Sequence, residues 1–388
     1  MRGHLILTIG LLVLAAGANA SGASANASGA GAGASTSEWT IRPLPSLGGA
    51  ESDASGINDA GQVVGRARLA SGQIHAALWE ADGRVRDLGV LSGGTFSAAR
   101  RINNRGQVAG LSQVPGGTDH AAFWDTRAGT LTDIGTLGGP RSFAQDVNDS
   151  GVVAGSSDAE RGSHAFTWTP AGGFVDYGNF NPQDRQLNAG FNAVNASGFA
   201  VGTAFRLLEP FRAVAADVAG KTLIDLGPPG RTLSMATGVN DRGVIVGYAS
   251  RGQVPEQAAI FRGPDDFTLL GTLGLDESWA EDVNSAGDIV GTAFSPNVRF
   301  RPFLYRDGVM YDLTAMLPRD SGWDELYSAM NINERGEIVG AGSYRGVTTG
   351  YVMSLVPEPS AAVVAGAFLA LLCLRRRGPA AARVTAAD

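Results

Sequence analysis

The stretch Ile57-Asn58-Asp59-Ala60-Gly61-Gln62-Val63-Val64-Gly65 decides how this chain is read, because its pattern recurs six more times. A β-branched residue precedes an asparagine, two variable residues and a glycine follow, and a second glycine comes four positions later. The asparagines are Asn58, Asn103, Asn148, Asn195, Asn240, Asn284 and Asn333, spaced by 45, 45, 47, 45, 44 and 49 residues. The turn glycines run from Gly61 to Gly336 and the second glycines from Gly65 to Gly340. Asparagine can hydrogen-bond its own following backbone and glycine accepts positive φ, so Asn-x-x-Gly reads as a tight hairpin turn.

Working outward, each copy contains four short strands. Strand A ends at the β-branched residue, and strand B is the Val-Val-Gly run. Strand C is His75-Ala76-Ala77-Leu78-Trp79, recurring as His120 to Trp124 and His164 to Trp168. Strand D is Val85-Arg86-Asp87-Leu88-Gly89, with later copies around Asp133, Asp176 and Asp225. Four strands in about 45 residues match a propeller blade. After the seventh A, B and C strands the chain reaches Val356-Pro357 with no D strand left. The segment beginning at Trp39 precedes the first A strand and can supply it. The predicted fold is therefore all-β, a seven-bladed β-propeller of seven ~45-residue repeats closed by an N-terminal strand. An open β-solenoid is the alternative.

Composition agrees. The 388 residues include 55 glycines without a three-residue period, which fits a turn-rich chain. Cys373 is the single cysteine, so an intrachain disulfide framework, a cysteine zinc site and an iron–sulfur centre are excluded. Without the charged residues of the terminal segments the net charge is −10, from 25 basic and 35 acidic residues, which argues against a nucleic-acid partner.

The ends read as addresses. Residues 1–20 combine a positively charged start, an apolar run from Leu5 to Ala16 and Ala18-Asn19-Ala20, the pattern of a cleaved signal peptide. Residues 21–37 are nearly all Gly, Ala, Ser and Asn and read as a linker, followed by the repeat domain at 38–356. In 357–388, Pro357-Glu358-Pro359 precedes fourteen uncharged residues, 361–374, and then Arg375-Arg376-Arg377. Fourteen helical residues reach roughly 21 Å, short for a permanent span, and the arginines set a positive-inside orientation.

The order Pro-Glu-Pro, apolar segment and arginine cluster resembles the PEP-CTERM sorting signal of Gram-negative bacteria. That resemblance implies recognition by exosortase, a membrane-embedded cysteine transpeptidase or protease, and transient anchoring in the inner membrane through 361–374 before display at the cell surface or in the matrix. Eleven residues follow Arg377, more than the family pattern leads one to expect. The repeats, with His164-Ala165-Phe166 as their name-giving strand, resemble the HAF-type extracellular repeat, which implies secretion more than any activity.

Candidate chemistry is sparse. His75, His120 and His164 are replaced in later copies by Arg212, Gln257, Arg301 and Thr349, so the position keeps polar character while losing metal competence, and structural hydrogen bonding is expected. The residue after each asparagine varies from Asp59 to Asn104, Ala196 and Ser285, which suits turns rather than calcium loops. The D-strand aspartates, Asp87, Asp133, Asp176, Asp225 and Asp312, are expected to fix local turns, and Trp79, Trp124 and Trp168 to pack between blades. No phosphate-cradle, GxSxG or HExxH spacing occurs. Neither a cofactor, a metal site nor a catalytic residue is expected.

Specificity is expected in what does not repeat. Two D-to-A connections, 276–282 and 319–327, carry Trp279 and Trp323 among Asp276, Asp324 and Glu325. They are read as neighbouring rim loops with exposed aromatics for stacking on sugar rings, and the irregular stretch 179–192 as part of the same rim. The ordinary reading, which carries more weight, is a solvated loop whose tryptophan tucks into the blade junction. The expected function is an exported, non-enzymatic surface or matrix protein that binds an extracellular partner, with exopolysaccharide as the candidate. A secreted glycan hydrolase or lyase using carboxylates of those loops, and a purely structural matrix component, are the alternatives.

Overall fold

A computed structural model describes residues 39–178, 187–206, 210–217, 222–227, 233–252, 254–263, 266–295 and 299–356. The signal-peptide, linker and sorting-segment readings therefore lie outside the described residues, as does 179–186 of the irregular stretch. Strand β1 is Trp39–Pro43. The first blade follows as β2 (Gly48–Ile57), β3 (Val63–Leu69), β4 (Ile74–Trp79) and β5 (Val85–Gly89). The second is β6 (Ser97–Ile102), β7 (Gln107–Gln113), β8 (Asp119–Asp125) and β9 (Thr130–Gly135), and the third β10 (Gly138–Val147), β11 (Val153–Ala159), β12 (Ser163–Thr169) and β13 (Gly173–Gly178). The fourth comprises β14 (Leu187–Val194), β15 (Phe199–Arg206), β16 (Arg212–Asp217) and β17 (Thr222–Asp225). The fifth comprises β18 (Ser234–Val239), β19 (Ile245–Arg251), β20 (Val254–Gly263) and β21 (Asp266–Leu269). The sixth is β22 (Glu277–Val283), β23 (Ile289–Ser295), β24 (Arg299–Arg306) and β25 (Val309–Asp312). The last blade has β26 (Trp323–Ile332), β27 (Ile338–Tyr344) and β28 (Val347–Leu355).

Its fourth strand is β1. The sheet order is β1-β28-β27-β26, and Trp39 pairs with Leu355 and Pro43 with Tyr351 in an antiparallel ladder. Seven antiparallel four-stranded sheets thus form a ring closed by main-chain hydrogen bonds, the seven-bladed propeller predicted from the repeats. The A strands touch one another around the ring and are innermost.

The repeat residues account for each hairpin. Asn58 Oδ1 accepts from the amides of Ala60 and Gln62 at 3.1 and 3.0 Å, and Gly61 takes φ of 77°. The second glycine answers a different demand. Every A strand carries a β-bulge three residues before its asparagine, where register shifts between Ala54 and Gly56, Ala99 and Arg101, Ala144 and Asp146, and so on around the ring. Beside the bulge the chains approach so closely that a Cβ on Gly65 would lie 2.0 Å from the Asp53 carbonyl oxygen.

The core lies between blades rather than within one. Trp124 packs with Val64, Ala76 and Leu78 of the preceding blade, and its Nε1 donates to the Leu88 carbonyl at 2.9 Å. Trp79 likewise packs on Val339 and Val352 and donates to the Pro45 carbonyl at 2.7 Å. Buried serines six residues before the asparagine stitch the same junctions: Ser97 Oγ accepts from Ala76 N and donates to the Gly89 carbonyl. Ser142 and Ser278 repeat the arrangement.

Candidate functional site

The side chains singled out by pattern divide into two groups. The histidines belong to the blades. His75 Nδ1 lies 2.9 Å from an Asp87 oxygen, and His120–Asp133 and His164–Asp176 are spaced at 3.0 Å. Arg212–Asp225 at 2.6 Å occupies the same place. Each aspartate also accepts the amide two residues on, as Asp87 does from Gly89 at 2.7 Å. One carboxylate therefore holds both a turn and the neighbouring strand. Among the described residues no cluster of three or more His, Cys, Asp or Glu side chains could hold a metal ion.

The two rim tryptophans are tucked into blade junctions, as the ordinary reading has it, though on strands rather than loops. Trp279 lies in β22, half-buried, stacked on Tyr248 of the preceding blade at 4.9 Å and 20° and edge-on to Phe294 at 4.6 Å. Trp323 begins β26 and is only 8% exposed, packed with Leu304, Leu313, Leu326 and Tyr351 at the sixth-to-seventh junction. They stand five and ten residues before their asparagines, so they do not occupy equivalent heights. Both are strand residues inside blade junctions, where their apolar area is removed from water, not exposed loop residues. Asp276, Asp324 and Glu325 are exposed. Ser343 Oγ and Gly346 N donate to Asp324 at 2.7 and 2.9 Å and hold its carboxyl below the usual range. Trp323 is closed off beside these carboxylates, and Trp279 is half-buried between Tyr248 and Phe294.

The constellation that sequence reasoning missed lies on the ring axis. The bulge turns the residues two and three positions before each asparagine towards the centre, and five of these are charged: Arg100, Arg101, Asp146, Glu281 and Asp282. They remain partly accessible because they face the lumen, although protein surrounds them. Arg101 reaches along the inner wall to the two preceding blades, its guanidinium donating to the carbonyls of Ser55 and, at 3.2 Å, Met330. Asp146 accepts from the amides of Val147 and Val194, both at 2.8 Å. Asp282 accepts from Ile332 N at 3.0 Å and from Asn331 Nδ2, and Asn331 Oδ1 accepts from Ile57 N at 2.7 Å.

Two groups stay unmatched. Arg100 Nε is buried with no acceptor, and Glu281 has no hydrogen-bond or ion-pair partner among the described residues. Burial pushes the Glu281 carboxyl up to about 7, against the pull of Arg101 and Arg100, and burial lowers the Arg100 guanidinium. The visible signal was a charged residue three before the asparagine, where an inward strand position would ordinarily be apolar.

No protein-family model matches the chain, and neither does any curated protein sequence. Among solved structures it is similar to the β-propeller domain of the Trilobed protease from Pyrococcus furiosus, described as having an open velcro topology. That match has a TM-score of 0.51 and 10% identity, and covers 79% of this chain and 95% of that one. It is also similar to the acylaminoacyl peptidase of Pyrococcus horikoshii, at TM-score 0.50 and 11% identity over 79% of this chain and 51% of the peptidase chain. TolB from Acinetobacter baumannii overlaps at TM-score 0.44 and 12% identity, over 81% and 96% of the two chains. Identities this low speak for the fold alone: the chain is a seven-bladed β-propeller, here with its ring closed by β1.

Proposed function

We propose that the chain is an exported, non-enzymatic propeller that works at the cell surface or in the extracellular matrix by binding a partner there, with exopolysaccharide as the ligand class. The observation that carries this reading is the pairing of Trp39 with Leu355. It places both ends of the repeat domain at one edge of the closing blade, so a tether attached after Val356 leaves the axis and the other six blades free to meet a partner. The PEP-CTERM-like order of Pro357-Glu358-Pro359 and Arg375 to Arg377, and the resemblance to HAF-type repeats, supply the route of export through exosortase. The binding reading is favoured over hydrolysis because carboxylates that the hydrolase reading needs are taken up by the fold: Asp324 accepts from Ser343 Oγ and Gly346 N, and Asp282 from Ile332 N.

The test has two parts. Protease treatment of intact cells should degrade the protein, and the purified protein should be retained on the host's matrix polysaccharide without releasing reducing ends. A chain that stays inside protease-treated cells removes the export reading. Release of new sugar ends makes the protein an enzyme.

A further inference from the structure

Arg100 and Glu281 are the charged axis residues that the fold leaves unsatisfied, and they come from the second and sixth blades, which face one another across the ring. The other three are spoken for: Arg101 by the Ser55 and Met330 carbonyls, Asp146 and Asp282 by main-chain amides. Arg100 as a whole stays partly accessible and none of its guanidinium nitrogens has an acceptor among the described residues, so its outer nitrogens can meet an anion while the enclosed Nε leaves the group short of partners.

We propose that the propeller axis binds the carboxylate of a hydroxy acid, with the Arg100 guanidinium donating to the carboxylate and the Glu281 carboxyl bonding a hydroxyl of the same ligand. The planar fork of arginine matches a carboxylate in two parallel hydrogen bonds, which a point charge cannot do. The surrounding charges decide when this works. Arg100 and Arg101 on β6, the Arg66–Asp53 ion pair of β3 and β2, Asp146 on β10 and Asp282 on β22 sum to zero when ionised, and Asn331 on β26 and Thr237 on β18 add no charge. Glu281 therefore sets the sign that an incoming anion meets, neutral when protonated and negative when ionised. With its carboxyl held up at about 7, the anion binds in the protonated state, and binding near neutral pH draws in a proton.

Free hydroxy acids and a uronic acid at the end of a polysaccharide present the same chemistry. The polymer source rests on the function proposed above; the free acid does not.

Titration calorimetry of the full chain with glucuronate, with a glucuronate-ended oligosaccharide and with glucose, at pH 5.5 and 8.5, tests the site. Glucuronate should bind at pH 5.5, at least tenfold more weakly at pH 8.5, and glucose not at all. Arg100→Gln should lose at least tenfold at pH 5.5, and Glu281→Gln should keep a smaller pH dependence than the parent, the remainder belonging to Asp146, whose carboxyl burial also pushes up. No binding by the parent at pH 5.5, or parental affinity in Arg100→Gln, overturns the proposal. Should Arg100→Gln fail to fold, the parent alone decides: binding near pH 7 without proton uptake, compared across buffers of different ionisation heat, overturns it equally. Binding of glucuronate but not of the oligosaccharide assigns the site to free acids. Parental retention of folded Arg100→Gln on matrix polysaccharide overturns the polymer source and leaves the proposed function standing.

Discussion

Asn333 Nδ2 donates to the main-chain carbonyl of Asn58 at 3.0 Å across 275 residues of sequence. It is the last link of a ring. Asn58 donates in the same way to Asn103, Asn103 to Asn148, Asn148 to Asn195, Asn195 to Asn240, Asn240 to Asn284 and Asn284 to Asn333. Each asparagine shapes its own hairpin through Oδ1 and fastens the next blade through Nδ2, which explains why no shorter turn-former replaces it in any of the seven copies.

Asn333→Asp separates the two duties. The carboxylate still accepts from the amides of Arg335 and Glu337 but cannot donate to Asn58. A loss of about 1–2 kcal/mol in urea unfolding is expected from the unmatched buried carbonyl. Parental stability would show that the ring contributes nothing.

Gly65→Ala tests the bulge. Its Cβ would meet the Asp53 oxygen at 2.0 Å, a backbone group that cannot swing aside, whereas at Gly263 nothing lies within 4 Å and φ is ordinary. Destabilisation of about 3 kcal/mol is expected for Gly65→Ala and almost none for Gly263→Ala. Equal effects at both positions would discount the bulge as the reason for the second glycine.

Deleting residues 38–49 strips β1 and the wholly buried Leu44, leaving the β28 edge unpaired. The melting temperature should fall by about 10 °C or more, with aggregation through the bare edge. An unchanged melting curve would mean that the ring does not depend on this ladder.

Stability should fall with rising pH over one defined window because of Glu281. Below an ordinary glutamate value of 4.5 the carboxyl is protonated in both the folded and unfolded chain. Between 4.5 and about 7 the unfolded chain loses its proton first, so folding is penalised increasingly, and above about 7 the penalty is constant. Glu281→Gln should gain on the parent across that window by about 2 kcal/mol, a figure tempered by the carboxyl's contact with the lumen. Parallel stability curves for the two proteins would contradict the raised value.

Trp323→Ala should cost about 3–5 kcal/mol, as expected for emptying a large buried site. Its effect on polysaccharide retention should follow the unfolded fraction measured by circular dichroism. A folded, fully stable Trp323→Ala that no longer binds would return this residue to the recognition surface.

The sequence alone determined the number of blades, their hairpins and the partner of the last sheet. These rest on local chemistry repeated seven times: Asn-x-x-Gly makes the same turn wherever it stands, and an unpaired seventh blade calls for the spare strand at Trp39–Pro43. Apolar bulk at Trp79 and Trp124 was legible for the same reason. The axis was not, because the bulge at Ser55, Arg100 and Glu281 leaves no turn residue to announce it, and its polar partners are as far apart as Arg101 and Met330, 229 positions in the chain. Trp279 and Trp323 looked like loop residues because carboxylates surround them in sequence, yet the junctions between blades remove their apolar faces from water. Only closure of the ring decides which side chains meet at its centre, since that meeting depends on seven strands converging and not on the neighbours of any one residue.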